Sequence, residues 1–292
     1  MKGHGPTAIR RSTVAGTWYP GTKKGLARAV DGYLANVDRP PVAGELLGLI
    51  SPHAGYTYSG QTAAYAYRQL QGRQVDTVVL VGPSHRDWVG DYAASTEDAY
   101  ETPLGIVPLD RAFIDDLAGR VVLGRIQGDS EHSLELQLPF LQRQLGEFRL
   151  VPILMRSADP AVARSLALAL AGVIRERAAE GKRVLLVASS DLHHIEDYDQ
   201  VVRRDQEVVD ALAAYDLERL SSRFGTPGCS VCGSMPILTV MRAARALGAS
   251  AAKILHHTNS GDVSGQRSRG QYTVGYMAAA IYMPLPEPSA RQ

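Results

Sequence analysis

Cysteine is scarce in this sequence, and unbalanced charge and long apolar runs are missing. Only two cysteines occur in 292 residues, which excludes a disulfide framework and favours a reducing compartment. The 31 lysines and arginines almost cancel the 30 aspartates and glutamates, so the charge does not indicate a nucleic-acid partner. No apolar run reaches the roughly 18 residues of a membrane span, and the N-terminus has no secretory pattern. We therefore expect a cytoplasmic protein that binds neither nucleic acid nor a membrane.

Two common classes of α/β enzyme are also unsupported by the motifs. No G-x-G-x-x-G follows a strand-like run, so dinucleotide binding is not indicated. No G-x-S-x-G elbow occurs, which removes the commonest α/β serine hydrolase.

What the sequence does contain is a regular alternation of strand-like and helix-like segments. Runs rich in Val, Ile and Leu predict strands at 46–50, 75–81, 149–154 and 183–188. Apolar residues at helical spacing predict helices at 60–70, 110–118, 134–145, 160–179, 200–214 and 234–247. Two later runs predict further strands, 251–257 and, at an edge or in a mixed arrangement, 271–283.

This alternation predicts the α/β fold class, with a central mostly parallel or mixed sheet and helices on both faces. No Pro/Ser-rich linker divides the chain, so we predict a single domain over residues 1–283. The polar, Pro-rich ending at 284–292 predicts a flexible C-terminal tail.

Histidines follow three of the four core strands. His53 and His85 come three and four residues after their strands, and "SSDLHH" places Asp191, His193 and His194 after a third. Ligands of open α/β sheets bind beyond the carboxyl ends of the strands, where such loops converge. Because neutral imidazole is the commonest ligand of transition metals, this pattern favours a metal site at that edge.

Spacing alone does not choose an anionic third ligand. Asp191 would complete a set of two histidines and one carboxylate, and Glu131 in "SEHSLELQLP" is a second candidate. The "SEHS" segment is equally typical of a helix start, with Ser130 or Ser133 as the cap. On that interpretation Glu131 and His132 only mark the beginning of a helix.

The two cysteines lie together in "GCSVCGSMP", directly before a predicted helix. Cys229 and Cys232 have C-x-x-C spacing, but no second pair occurs to complete a zinc site. A thiolate near a helix N-terminus is stabilised by the helix dipole, so either residue is a candidate metal ligand or reactive thiol. Burial as a small apolar residue is the alternative for both.

Six motifs in order make the chain resemble a known family. "AGTWYP", "SPHAGYTYSG", "LVGPSHRDW", "EHSLELQLPFL", "VASSDLHH" and "CGSMPI" resemble those of the Memo family, whose bacterial and archaeal members are called AmmeMemoRadiSam system protein B. The resemblance covers about residues 10–282. It implies a fold similar to that of the LigB-type class III extradiol dioxygenases, non-haem iron enzymes that open catechol rings with molecular oxygen.

The resemblance also implies a ligand set. It places His53, His85 and Cys232 as metal ligands, with Fe(II) as the expected metal and copper or zinc as alternatives. The dioxygenases have a glutamate where this chain has Cys232, and a thiolate shifts the preference toward softer metals.

Further expectations concern chemistry and partners. The resemblance implies that His194, Asp191 and His132 line the same pocket as catalytic residues. We expect an oxidoreductase of the extradiol type that acts on a small phenolic substrate. The alternative is a non-catalytic module that binds a metal or a peptide and serves a protein partner. The family name suggests a pathway link to a radical-SAM protein and an AMMECR-type protein.

Overall fold

The apolar runs of the sequence lie side by side as parallel strands in one large sheet. The computed structural model describes residues 8–87 and 89–286. In this part of the chain the strands are β1 (Ile9–Arg10), β2 (Gly44–Ser51), β3 (Thr77–Pro83), β4 (Tyr92–Ser95), β5 (Ala99–Thr102), β6 (Gly105–Pro108), β7 (Gly124–Ile126), β8 (Arg149–Met155), β9 (Val184–Ser189), β10 (His194–Asp197), β11 (Ala251–Asn259) and β12 (Arg269–Pro284).

Helices separate most of these strands along the chain. Those of the described residues are α1 (Lys23–Ala35), α2 (Tyr56–Tyr67) with a 3-10 turn (Arg68–Leu70), α3 (Arg111–Ala118), α4 (His132–Glu135), α5 (Leu138–Leu145), α6 (Pro160–Ala179), α7 (Tyr198–Ala213), α8 (Leu217–Phe224), α9 (Ser234–Ala246) and α10 (Ser260–Ser264).

The order of the strands brings the histidine-bearing loops together. The main sheet runs β10-β12-β2-β9-β3-β8-β4-β7, and β11 pairs with β12 outside this path. Strands β2, β9, β3 and β8 are mutually parallel, whereas β12 is antiparallel to β2 and β4 is antiparallel to β8. Because β2, β9 and β3 are adjacent and parallel, the loops that follow them emerge at one edge of the sheet.

Two groups of helices cover the sheet. Helices α1, α2 and α5 contact one another, and α2 packs against β2, β11 and β12. Helices α6, α8 and α9 form the other group, and α9 packs against β2, β3 and β9. Strand β2 contacts both groups and is buried from residue 47 to 51, as expected for a strand covered on two faces. The predicted α/β class with a mixed sheet is therefore confirmed.

The prediction of one continuous helix at 134–145 is wrong, because the chain forms two short helices there. Helix α4 ends at Glu135 and α5 begins at Leu138, with Pro139 in its first turn. A proline has no backbone N–H to donate and disfavours helical backbone in the residue before it, so it starts a helix more readily than it continues one.

The last long strand has partners on both sides over part of its length. Strand β12 pairs with β11 from Gly275 to Tyr282 and with β2 from Ala279 to Pro284. The predicted edge position is therefore wrong for this part of β12, and the predicted mixed arrangement is correct. Its residues from 273 to 281 are buried, which explains why the run is so apolar.

The boundary between domain and tail stays a prediction. Strand β12 continues to Pro284, which pairs with Gly44, and residues 287–292 lie outside the described ones. Among the described residues, no helix combines the length and the apolar character that crossing a membrane requires.

Candidate metal centre

Two histidines and a cysteine converge beyond the carboxyl ends of the parallel strands. His53 follows β2, His85 follows β3, and Cys232 precedes α9. Their candidate ligand atoms all lie within 4.8 Å of one another. His53 Nε2 is 3.2 Å from Cys232 Sγ, and the His53 and His85 ring centroids are 5.3 Å apart. The three side chains named by the family resemblance thus form one compact group.

Hydrogen bonds assign the proton on the His53 ring to Nδ1. Ser189 Oγ donates its only proton to the Ser133 carbonyl at 2.6 Å, so it must accept from its other neighbours. Those neighbours are Gln137 Nε2 at 2.8 Å and His53 Nδ1 at 2.9 Å. His53 therefore donates through Nδ1 and directs an Nε2 lone pair toward Cys232. Burial, with the nearby His85 ring, holds the pKa of His53 well below its ordinary value, so the ring is neutral.

Glu131 gives His85 the same tautomer. The Glu131 side chain is fully buried, and its Oε1 lies 3.0 Å from His85 Nδ1. Burial raises the pKa of this carboxyl, but the His132 and His85 imidazoles outweigh burial and hold the pKa well below its usual range. An ionised carboxylate only accepts hydrogen bonds, so His85 Nδ1 donates and Nε2 keeps its lone pair. Glu131 thus acts on a candidate ligand by orienting it.

The same carboxylate begins the next helix. Glu131 Oε1 also accepts from the backbone N–H groups of His132 and Ser133, at 2.9 and 3.1 Å. Glu131 is therefore the cap of α4, and the expectation that Ser130 or Ser133 caps it is wrong. A carboxylate has two acceptor oxygens where a serine has one, so it can cap the helix and hold His85 together. His132 Nδ1 lies 3.0 Å from the same oxygen but lacks the alignment of a hydrogen bond.

Cys232 is half-buried by accessible surface, yet its environment disfavours the thiolate. Burial and the charge of Asp191 raise the pKa of the Cys232 thiol well above its usual range. The thiol is therefore protonated at neutral pH, and His53 Nε2 at 3.2 Å is its acceptor. A metal that bound Cys232 as a thiolate would have to displace this proton.

The three predicted catalytic residues lie around one cavity of about 700 Å³ whose lining includes His53, His85, His132, Asp191 and His194. Trp18 packs on His132 with ring centroids 4.4 Å apart, and it lines the cavity with Tyr58, Tyr272 and Tyr276.

Asp191 and His194 differ in how they are held. Asp191 Oδ1 accepts from the backbone N–H groups of His53 and Ala54 at 2.8 and 3.3 Å, and burial raises the pKa of Asp191 to about 7. His194 Nδ1 lies 3.0 Å from the Tyr272 hydroxyl, whereas its Nε2 is buried without a hydrogen-bond partner. Burial, with the His85 ring, lowers the pKa of His194 to about 4.

Two other histidines lie outside this cavity. His193 turns away from it, and its Nδ1 bonds to the buried Asp205 at 2.8 Å. Burial lowers the pKa of His193, but the hydrogen bonds that His193 makes to Asp205 and Cys229 outweigh burial and raise this pKa to about 9. His256 stacks on Tyr65 and bonds to a threonine, so it is a packing residue.

Some residues of the site carried no signal in the sequence. Ser189 and Gln137 fix the His53 ring, but a serine at a strand end and a glutamine in a helix are unremarkable by themselves. Tyr272 meets His194 only because β12 pairs with β10, a contact between residues 78 positions apart. Among the residues that orient the two histidines, only Glu131 was a candidate from the sequence, where it was a possible third ligand.

The fold and these side chains define the class: an α/β protein with a candidate His–His–Cys metal centre at the carboxyl ends of its parallel strands. The family model described as "Memo-like protein" matches residues 10–280. The chain belongs to the Memo family, as the six motifs predicted.

Relatives and a solved structure agree with this assignment. A MEMO1 family protein of Methanosarcina acetivorans is 36% identical over 279 residues, covering 94% of this chain and 99% of the relative. One of Pyrobaculum aerophilum is 33% identical over 289 residues, with 94% and 99% covered. The crystal structure of an uncharacterized protein of Escherichia coli K12 matches with a TM-score of 0.52 at 14% identity. It covers 81% of this chain and 99% of that protein, and it supports the fold alone.

Proposed function

We propose that this protein is a metal-dependent oxidoreductase of the extradiol-dioxygenase type that acts on a small phenolic substrate. The observation that carries the proposal is the group of two imidazoles and one thiol within 4.8 Å, at an aromatic-lined cavity. His53, His85 and Cys232 would hold the metal. Fe(II) is the expected ion, and copper or zinc are the alternatives because a thiolate favours softer metals.

The two histidines fit a divalent metal in their protonation as well as their position. Both histidines direct an Nε2 lone pair toward the group, since Ser189 and Glu131 occupy the two Nδ1 atoms. Such orientation through the second ring nitrogen is typical of metal-bound histidines. The metal, when bound, would supply the redox chemistry that ring opening by molecular oxygen requires.

The chain's own acid–base groups are suited to a phenolic ligand. His194 is neutral at pH 7, and its unpartnered Nε2 is available to hydrogen-bond or exchange a proton with a bound hydroxyl. Asp191, with a pKa of about 7, would hold the His53 loop and act as a proton acceptor near neutrality. The His132 and Trp18 rings, which are tilted by 50° to each other, would both offer apolar contact to the ring of the substrate.

Oxygen consumption tests this proposal. Protein reconstituted with Fe(II) under anaerobic conditions is mixed with oxygen and a panel of catechols in an oxygen electrode. We expect uptake with at least one catechol, and its loss in His53→Ala. Uptake no faster than that of the variant with every catechol would rule out the extradiol reaction.

A second candidate function rests on exposed aromatic rings around the cavity. Tyr58 and Tyr272 line the cavity, yet they are 46% and 54% exposed. Val263 of α10, which precedes the lining residue Ser264 in the sequence, is 45% exposed. Exposed apolar groups of this kind are suited to a peptide or a protein partner. A non-catalytic module would use them to bind a radical-SAM or an AMMECR-type protein.

Binding measurements separate the two functions. For the module, Tyr58→Ser and Tyr272→Ser should each weaken binding to a purified AMMECR-type or radical-SAM protein, while His53→Ala should bind as the wild type does. Equal binding by all three variants would exclude these tyrosines as the docking surface.

A further inference from the structure

The wall of the cavity has no lysine or arginine side chain. Among the residues the structure describes, none of these cations lines it, and its only acidic lining residue is Asp191. Its other polar groups are hydroxyls, two glutamine amides and imidazoles. The buried Glu131 carboxyl group lies directly behind His85 and His132. The cavity therefore offers no lysine or arginine to an anionic group, and it has acidic side chains in or beside its wall.

The cavity has a closed end and an open end. His53 and Asp191, at the closed end, are only 2% and 3% exposed. Ser264 and Gln266 line the cavity from exposed positions, and Gln271 lines it from a half-buried one. A ring whose hydroxyls meet the His53 end would direct its remaining substituent toward the two glutamines.

Nearby arginines are directed elsewhere. Arg267 follows Gln266 in the sequence, but its Nε is 2.9 Å from Asp262 Oδ1. Arg269 precedes Gln271 by two residues and lies opposite Asp197 in the β10–β12 pairing. Neither arginine is among the residues that line the cavity, so neither offers a ready countercharge to a ligand there.

An anionic substituent would therefore enter the cavity without a partner. Removing a carboxylate or phosphate from water is strongly unfavourable unless a cation or several donors replace the water. An uncharged amide or hydroxyl has a smaller desolvation cost and finds matching partners in glutamine side chains.

From this we infer that the cavity selects aromatic ligands whose substituent beyond the ring hydroxyls is uncharged, and rejects those that carry a carboxylate or a phosphate there. This inference rests on the proposed function, since it takes the ring hydroxyls to lie at the metal end. It assigns Gln271 and Gln266 as specificity-determining residues.

Two catechols of the same shape test it directly. In 3,4-dihydroxybenzamide and 3,4-dihydroxybenzoate the two hydroxyls are identical, so the ratio of their dissociation constants reports only the charge of the third substituent. Binding to Fe(II)-loaded protein is measured without oxygen by quenching of tryptophan fluorescence. The chain has two tryptophans, of which Trp18 lines the cavity, so comparison with Trp18→Phe gives the share of the signal that comes from Trp18.

We expect the benzamide to bind at least tenfold more tightly than the benzoate. Gln271→Arg should reduce this ratio at least fivefold by supplying the missing cation, whereas the uncharged Gln271→Met should not improve binding of the benzoate. Benzoate binding as tight as benzamide binding in the wild type would overturn the inference while leaving a phenolic ligand in place. If neither catechol bound metal-loaded protein, the proposed function itself would fail.

Discussion

At the scale of single residues, hydrogen bonds decide what the two histidines can offer a metal. Sequence position predicted that His53 and His85 meet, because both follow predicted strands of one mostly parallel sheet. It could not predict which ring nitrogen is free, since that depends on Ser189 and Glu131, which approach from distant parts of the chain. For the same reason it left Glu131 open as a ligand. In the structure it orients the His85 ring, and its carboxylate also lies within 4.8 Å of candidate ligand atoms of His85 and His132.

Replacing the orienting carboxylate should weaken metal binding. Glu131→Gln keeps a side-chain oxygen to cap α4 but removes the charge that fixes the His85 tautomer. We expect metal affinity to fall about 10- to 100-fold, as for other residues that orient metal-bound histidines. Competition with a chromophoric chelator measures the affinity, and circular dichroism of the metal-free variant serves as the control for folding. Unchanged affinity would mean that Glu131 only caps the helix.

The protonated thiol predicts that metal binding depends on pH. The pKa of Cys232 is raised, so the thiol holds its proton at neutral pH and must lose it to become a ligand. Affinity should therefore rise as pH increases, by about tenfold per pH unit while the thiol remains the main group that loses a proton. His53 should contribute little to this pH dependence above pH 6, because its pKa is depressed and the ring is already neutral.

Titration with Zn(II) from pH 6 to pH 8 measures this dependence. Cys229→Ser is the matched control, since it removes the other cysteine of the same segment, and it should keep the wild-type slope. Cys232→Ser should flatten the slope. An affinity that did not change with pH in the wild type would contradict a protonated Cys232 ligand.

At the scale of the elements, prediction succeeded where apolar patterning was strong. The four core strands and most helices appeared within a few residues of their predicted bounds, because their apolar runs or stripes are long. Strands β4 to β7 were missed because each has only three or four residues. Helix α1 was missed as well, since Gly25 and Gly32 lower the helix propensity of its sequence.

One glycine of β12 is required by the element that packs on it. A Cβ added at Gly275 would lie 1.7 Å from Asp205 Oδ2 and 2.9 Å from the Leu192 side chain. The absence of a side chain lets Asp205 reach His193, and the Gly275 backbone pairs with Leu192 and His193 at 2.8 and 3.0 Å. Gly275 thus holds the loop that carries Asp191 and His194.

Gly275→Ala should therefore destabilise the protein, by about 2–3 kcal/mol because a buried polar pair must shift. Gly32→Ala is the matched control: its Cβ would meet no atom within 4 Å, and alanine favours a helix. That variant should be about 0.5–1 kcal/mol more stable than the wild type. Urea denaturation of both metal-free variants gives the two free energies. Equal stabilities would contradict the close packing at β12.

At the scale of the whole molecule, one buried carboxylate connects the N-terminal segment to the site. Glu135 accepts hydrogen bonds from Ser12 Oγ at 2.7 Å, Thr13 N at 2.9 Å and Tyr19 Oη at 2.7 Å, and it pairs with Arg10. These bonds hold the segment so that its Trp18 ring packs on His132. Nothing in the sequence predicted this connection, because it joins residues more than 100 positions apart.

The central claim is that three loops distant in sequence form one metal centre. The most direct test is metal analysis of protein purified without added metal, comparing the wild type with Cys232→Ser and with Cys229→Ser. We expect about one transition-metal ion per chain in the wild type and in Cys229→Ser, and a loss of most of it in a folded Cys232→Ser. Equal metal content in the wild type and Cys232→Ser, or none in any of the three, would contradict the claim.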